Sequence, residues 1–276
     1  MLDRLQQASL YVRTAQRVAR TGGMPTRGFL GEPDPRVVFV HGCPRSGTTF
    51  LASAIASLPG FVDLGEVGPL KRGVADLIAL EQGAAAERIR RIVTTTARLG
   101  LAGGRRVVEQ TPETSFVAAA AAEAFTSGSL VHIARDGRDV VCSLLERGWL
   151  SAGRVGQDDV GETFGARLRF WVEPEREAEF AAVSDARRAA WAWRRYVESA
   201  LVVGPPQIRY EEIVEDSAVA AERLAPLLAC DPGNLAHAFA RVRPDSLGRF
   251  RSELSAEQVS DIEDEAGELL ESLGYT

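Results

Sequence analysis

Cysteine is scarce in this chain: Cys43, Cys142 and Cys230 are the only three, and they lie far apart. An odd number at such spacing implies neither a disulfide framework nor a zinc site, and the thiols read as reduced. Long apolar runs are missing as well. No stretch approaches the ~20 residues that cross a bilayer, and the N-terminus lacks the charged-then-apolar layout of a signal peptide, so a cytoplasmic protein without an integral membrane segment is expected. Excess positive charge is lacking too. A net charge of -6 argues against a chain whose main business is holding nucleic acid or an anionic membrane surface. There is no internal repeat and no low-complexity tract. What is present, 45% hydrophobic and 25% charged residues over 276 positions, suits one large α/β domain with a well-buried core.

The most informative stretch runs from Arg36 to Phe50, where a β-branched and aromatic run meets a Gly/Pro-punctuated loop and then an apolar-periodic helix. A tight loop entering a helix N-terminus aims several backbone N–H groups at one point, and the helix dipole adds partial positive charge there. Such a place holds an anion. Gly42 and Gly47 have the spacing of the G-x-x-x-x-G-K-[ST] loop, but Thr48 stands in the lysine position. The cation lies inside the loop instead, as Arg45, flanked by Pro44 and Ser46, with Thr49 and Phe50 following Thr48. Neither the phosphate-binding lysine nor an evident Mg²⁺-holding acid of a kinase or ATPase is seen.

Around this motif the pattern alternates. A Gly/Pro-rich loop over 21–35, after a basic amphipathic N-terminal helix, leads into a strand at Val37–Val40. A helix then runs to about Leu58, and Phe61–Leu64 reads as a second strand. Two helices broken at Gly83 cover Leu70–Leu99. They are followed by a strand at Arg106–Glu109, an Ala-rich helix over Ser115–Phe125 and a strand at Leu130–Ala134. Residues 150–173 read as a lid or acceptor-binding segment. A long helix from about Glu175 to Val203 carries Trp191, Trp193 and Tyr196, taken as core. A last strand, Gln207–Tyr210, precedes a mainly helical remainder with an acidic final helix. Strands alternating with helices imply a central parallel β-sheet covered on both faces, with ligands at the carboxyl ends of its strands. The expectation is a single-domain α/β fold of the P-loop-containing nucleotide-binding type, spanning 1–276. In it 1–35 is an N-terminal helix and loop, and 150–203 supplies the acceptor lid and helix.

A second motif, Ile133-Ala-Arg-Asp-Gly-Arg-Asp-Val-Val-Cys-Ser143, places Arg135 at a strand end and Ser143 two turns into the next helix, so both can reach one phosphate. Arg138 is more simply a salt-bridge partner of Asp136 or Asp139. With both motifs in hand, the chain resembles the sulfotransferases that use 3′-phosphoadenosine-5′-phosphosulfate (PAPS), especially their bacterial and Golgi-type branches, over roughly residues 36–254. Pro44-Arg-Ser-Gly-Thr-Thr49 is similar to that family's 5′-phosphosulfate loop, and the second motif to its 3′-phosphate strand and helix.

The resemblance implies transfer of a sulfuryl group from PAPS to a hydroxyl of a small-molecule, glycan or lipid acceptor. The product is 3′-phosphoadenosine-5′-phosphate (PAP), and no metal is required. Arg45 and the loop amides would meet the negative charge on the leaving oxygen, with Pro44, Ser46, Gly47, Thr48, Thr49 and Phe50 completing the loop and Arg135 and Ser143 holding the 3′-phosphate. His41, His132 and His237 lack a matching context for a base, which leaves a carboxylate. Glu66, in a Gly-Glu dipeptide after the second strand, is the preferred base. Glu109 is the runner-up, in a Glu-Gln-Thr-Pro segment where the family has Glu-Lys-Thr-Pro, so that Gln110 replaces a lysine. Tyr210 is implied near the adenosine, and Gly248 and Arg249 in a late loop over the 3′-phosphate. A P-loop phosphotransferase and a non-catalytic nucleotide-binding module remain the alternatives. The acceptor and the oligomeric state are not legible.

Overall fold

The computed structural model describes residues 8, 9, 11–13, 16, 37–99, 105–150 and 169–275. The expected lid therefore lies mostly outside the described residues, as does the loop over 21–35. Of the N-terminal helix, residues 8, 9, 11–13 and 16 are described, and they are helical.

Five parallel strands form the centre: β1 (Val37–His41), β2 (Phe61–Gly65), β3 (Arg106–Glu109), β4 (Ser129–Ala134) and β5 (Gln207–Arg209), in the order β2-β3-β1-β4-β5. All five residues of β1 are buried, as a strand covered on both faces requires. Its alternating side chains feed two cores. Val37 and Phe39 pack with Val62, Leu64 and Val107 beneath α2 (Gly68–Ile78), α3 (Gln82–Leu99) and α4 (Ala118–Ala124). Val38 and Val40 pack with Leu51, Ile55 and Ile208 beneath α1 (Thr48–Ala56) and the later helices α8 (Tyr210–Glu215), α9 (Ser217–Leu228) and α10 (Pro232–Phe239). A third core joins α5 (Gly137–Arg147), α7 (Asp185–Leu201) and α12 (Ala256–Ser272) around Trp191 and Trp193, both fully buried, as expected from sequence.

Several boundaries differ from the sequence reading. The break between α2 and α3 falls at 79–81, where the Leu80 amide closes on the Leu77 carbonyl, and Gly83 sits in the first turn of α3. The Ala-rich helix is entered through a 3-10 turn, Pro112–Val117, so α4 begins three residues later than expected. The expected Glu175–Val203 helix is divided into a 3-10 turn at Pro174–Arg176, α6 (Glu177–Ala182) and α7. Val183 is extended, and the Ser184 hydroxyl accepts from the Arg187 amide (3.1 Å), an N-cap that starts a new helix. Tyr210 opens α8 rather than ending β5. The acidic final helix is α12, begun by a Ser255–Gln258 capping box, with a short α11 (Phe250–Glu253) before it.

The sheet order reverses direction about β1, which has β3 on one side and β4 on the other. The crevice at the carboxyl ends of β1 and β4 is the place where such sheets bind ligands.

Candidate active site

Residues 42–47 connect β1 to α1 by a turn closed by the Ser46 amide on the Cys43 carbonyl (3.1 Å). Arg45 adopts a left-handed φ of 74°, a strained conformation for an arginine. Gly47 adopts φ 100°, which favours glycine: a Cβ there would stand 2.6 Å from Tyr210 Cδ2 and force that ring to shift. α1 starts without a side-chain cap, so its first turn keeps its N–H groups for another partner.

The second motif comes to meet this turn. The Arg45 Nε donates to Ser143 Oγ at 2.8 Å, across 98 residues of chain. Arg135 Nη1 donates to the Arg45 carbonyl (3.4 Å), Nη2 donates to the Ser246 carbonyl, and the guanidinium lies 5.0 Å from the Tyr210 ring centre. Tyr210 is buried; its hydroxyl donates to the Arg243 carbonyl (3.1 Å) and accepts from Ser246 Oγ (3.4 Å). Asp139 ties the late loop down, accepting from the amides of Gly248 (2.7 Å) and Phe250 (3.2 Å) while standing 3.7 Å from Arg135 Nη2. Arg45, Arg135, Ser143, Tyr210 and Gly248 thus form one cluster. Arg249 turns to Glu146 and Glu253, whose hydrogen bonds hold its pKa above the usual range. Arg138 pairs with Asp136 at 2.8 Å. Phe50 packs edge-on to Tyr210, with ring centres 6.1 Å apart, and Thr49 Oγ1 donates to Gln110 Oε1 (3.1 Å). Thr48 is buried and Pro44 half-buried.

Cations crowd this point. The Arg45 guanidinium is pulled below its usual range by burial first, then by Arg147, Arg135 and Arg249, with Glu146 opposing. Ser46 Oγ and Arg135 Nε are buried without a hydrogen-bond partner among the described residues. An anion with more than one charge fits here, because it would pair the clustered arginines, the first-turn amides and these two orphaned donors together.

The two glutamates sit in different surroundings. Glu109 is fully buried: Oε1 accepts from the Thr111 amide (2.8 Å) and hydroxyl, and Oε2 accepts from the Thr114 hydroxyl (3.3 Å). Burial pushes its pKa up to about 7 against those bonds. Its hydrogen bonds organise the turn after β3, whose Thr111 also takes the Val67 amide at 3.0 Å. The Glu66 side chain is 39% exposed, and its Oε2 accepts from Lys71 Nζ at 2.8 Å. A chain of bonds ties the backbone just before it to the first turn of α1, because Gln110 accepts from Thr49 through its side chain and donates its amide to the Gly65 carbonyl (3.2 Å). His41 and His132 are stacked inside the sheet with ring centres 5.5 Å apart, and His237 lies exposed on α10. Among the described residues no group of three or more His, Cys, Asp or Glu side chains is placed to hold a metal ion. No described helix is long and apolar enough to cross a membrane.

No protein-family model and no curated protein matches the chain. Solved structures do. Sulfotransferase STF9 from Mycobacterium avium superposes with a TM-score of 0.55 at 12% identity, covering 98% of this chain and 84% of its own. The sulfotransferase domain from the curacin biosynthetic pathway superposes at 0.51 with 14% identity, covering 85% of this chain and 97% of that domain. The fold is that of the sulfotransferases.

Within this sulfotransferase fold, Lys71 and Glu113 escaped sequence reasoning. Lys71, in the first turn of α2, is buried with its ammonium 3.9 Å from Glu113 Oε1, to which Tyr196 of α7 donates at 3.3 Å. A signal existed. Lys71 is the only lysine in a chain whose 32 basic residues are otherwise 31 arginines. Glu113 had none, because an acid in the first turn of a helix is ordinary capping chemistry.

Proposed function

We propose that the protein is a sulfotransferase that moves the sulfuryl group of PAPS to a hydroxyl of a small-molecule, glycan or lipid acceptor, releasing PAP. The observation that carries this reading is the 2.8 Å bond from Arg45 to Ser143, which joins the turn after β1 to the second motif, whose Arg135 also donates to the Arg45 carbonyl. The loop of residues 42–47 and the first turn of α1 take the 5′-phosphosulfate, with Ser46, Thr48 and Thr49 as neutral donors. Arg135 and Ser143 take the 3′-phosphate, roofed by Gly248. Arg249 joins them by exchanging one of its carboxylates for phosphate. Tyr210 supports the nucleoside side from beneath Arg135.

Glu66 is the base. Its Oε1 accepts the proton of the acceptor hydroxyl while that oxygen bonds to sulfur, and the electron pair of the S–O bond departs with the 5′-phosphate of PAP. Arg45 meets the charge gathering on the leaving oxygen. Being an arginine, it acts as a fixed cation and keeps its proton.

The test has two parts. Calorimetry should detect PAP binding with EDTA present or absent, and failure of PAP to bind removes the donor assignment. PAP release from PAPS is then followed with a mixture of phenols, sugars and fatty alcohols, where turnover above the acceptor-free rate is expected. ATP with Mg²⁺ stabilising the fold more than PAP does would favour a phosphotransferase.

A further inference from the structure

Resting on that reading of the site, we infer that Lys71 is a positioning residue for the transfer step: its ammonium orients Glu66 as a carboxylate while leaving one oxygen open to the acceptor. The ammonium is buried and bridges carboxylates from two elements, Glu66 after β2 at 2.8 Å and Glu113 in the turn after β3 at 3.9 Å. Tyr196 secures Glu113 from α7. Glu109 and its threonines hold the backbone on which both acids stand, through the Thr111–Val67 bond.

Burying an ammonium is costly unless carboxylates surround it, so a chain rich in arginine would be expected to use its usual cation at an ordinary ion pair. It departs from that habit at this one position. Chemistry supplies the reason. A guanidinium engages a carboxylate through a planar fork and occupies both oxygens, whereas an ammonium is a point donor that takes one. Lys71 takes Oε2, and Glu66 Oε1 has no partner among the described residues. That open oxygen belongs to a side chain 39% exposed, on the residue that follows the carboxyl end of β2. Glu109 cannot offer the same, since both its oxygens are engaged and it is out of reach of solvent.

The experiment compares the parent with Lys71→Arg, Lys71→Met, Glu66→Gln and Lys71→Met/Glu66→Gln, measuring kcat for PAPS turnover with the acceptor mixture and PAP affinity by calorimetry. PAP affinity should be unchanged throughout. Lys71→Met should lower kcat about 10²-fold, within the range for general-base catalysis. Lys71→Arg keeps the charge but closes the fork, and should lower kcat about 10-fold or more. The double variant should be no slower than Glu66→Gln alone, because Lys71 acts only through Glu66. A parent-like Lys71→Arg, or losses that multiply in the double variant, overturns the inference while the sulfotransferase reading stands. A parent that releases no PAP from PAPS removes both. The single lysine gives a readout independent of folding yield and turnover: ¹⁵N-lysine labelling yields one side-chain ammonium signal, expected to shift in Glu66→Gln and, if unmoved, equally fatal.

Discussion

Gly47→Ala tests the geometry of the anion loop, with a control built into the same fold. The new methyl meets two penalties. At φ 100° an L-residue costs about 1–2 kcal/mol. The Cβ would also stand 2.6 Å from Tyr210 Cδ2 and 3.2 Å from Ile133 Cδ1. Tyr210 cannot swing aside without giving up its bonds to Arg243 and Ser246, so the crowding adds about 1–3 kcal/mol. Gly60, at φ 84° with nothing within 4 Å of its Cβ position, carries the first penalty alone. Urea unfolding should therefore place Gly47→Ala below Gly60→Ala by about 1–3 kcal/mol. PAP binding should separate them further. Displacing Tyr210 moves the ring under Arg135, so Gly47→Ala should bind PAP at least about 10-fold more weakly, a change of about 1.4 kcal/mol, and Gly60→Ala as tightly as the parent. Equal stabilities, or parent-like PAP affinity in Gly47→Ala, would refute the argument that glycine is required for the close approach of Tyr210.

Other expectations follow from the same contacts. Arg135→Ala should weaken PAP by one to two decades, corresponding to about 1.5–3 kcal/mol for a charge-assisted contact, and adenosine 5′-phosphosulfate hardly at all; calorimetry showing equal losses removes the 3′-phosphate assignment. Glu66→Gln should lower kcat about 10²–10⁴-fold with PAP affinity kept, and Glu109→Gln less; single-turnover kinetics with the order reversed would make Glu109 the base. The stability-against-pH profile should reveal opposed buried groups. Burial lowers His132 to about 4 and holds His41 well below its usual value, so their contribution is lost as pH falls from about 6.5 toward 4. Glu109, raised to about 7, contributes stability that is lost as pH rises from about 4.5 through 7. The two slopes oppose each other, and Glu109→Gln should lose stability on acidification more steeply than the parent; urea titrations at pH 4.5 and 6.5 giving parallel profiles would contradict this.

The strands and the turn between β1 and α1 were legible because their signals are local. Val37–Val40 is β-branched and aromatic throughout, and Pro44-Arg-Ser-Gly-Thr-Thr49 compresses turn, cation and hydroxyls into six residues. Helix boundaries were less so. The extended Val183 ends one helix and the Ser184 hydroxyl caps the next, a break invisible against the continuous helical periodicity on either side. At the site, Arg135 and Ser143 could be read from helix spacing, but the partnership of Lys71 with Glu66 and Glu113 could not. It depends on how the β2 and β3 ends align in the sheet, a tertiary fact with no sequence period. Burial likewise separates Glu66 from Glu109, two acids that look alike in sequence.

The dependence of the cluster around Arg45 on distant segments bears on how the protein is made. Arg45 waits for Ser143, 98 residues on, and Arg135 for the Ser246 carbonyl, a further 111 residues along from Arg135. During synthesis the loop after β1 emerges with its cation exposed long before Asp139 can fasten Gly248 across the opening. Until Gly248 has emerged the loop after β1 stays uncovered, and on the proposed reading PAP could act as a folding ligand only after that. Truncation before Arg243 should therefore remove the partners of Arg135, Tyr210 and Asp139 while leaving the five strands able to pair.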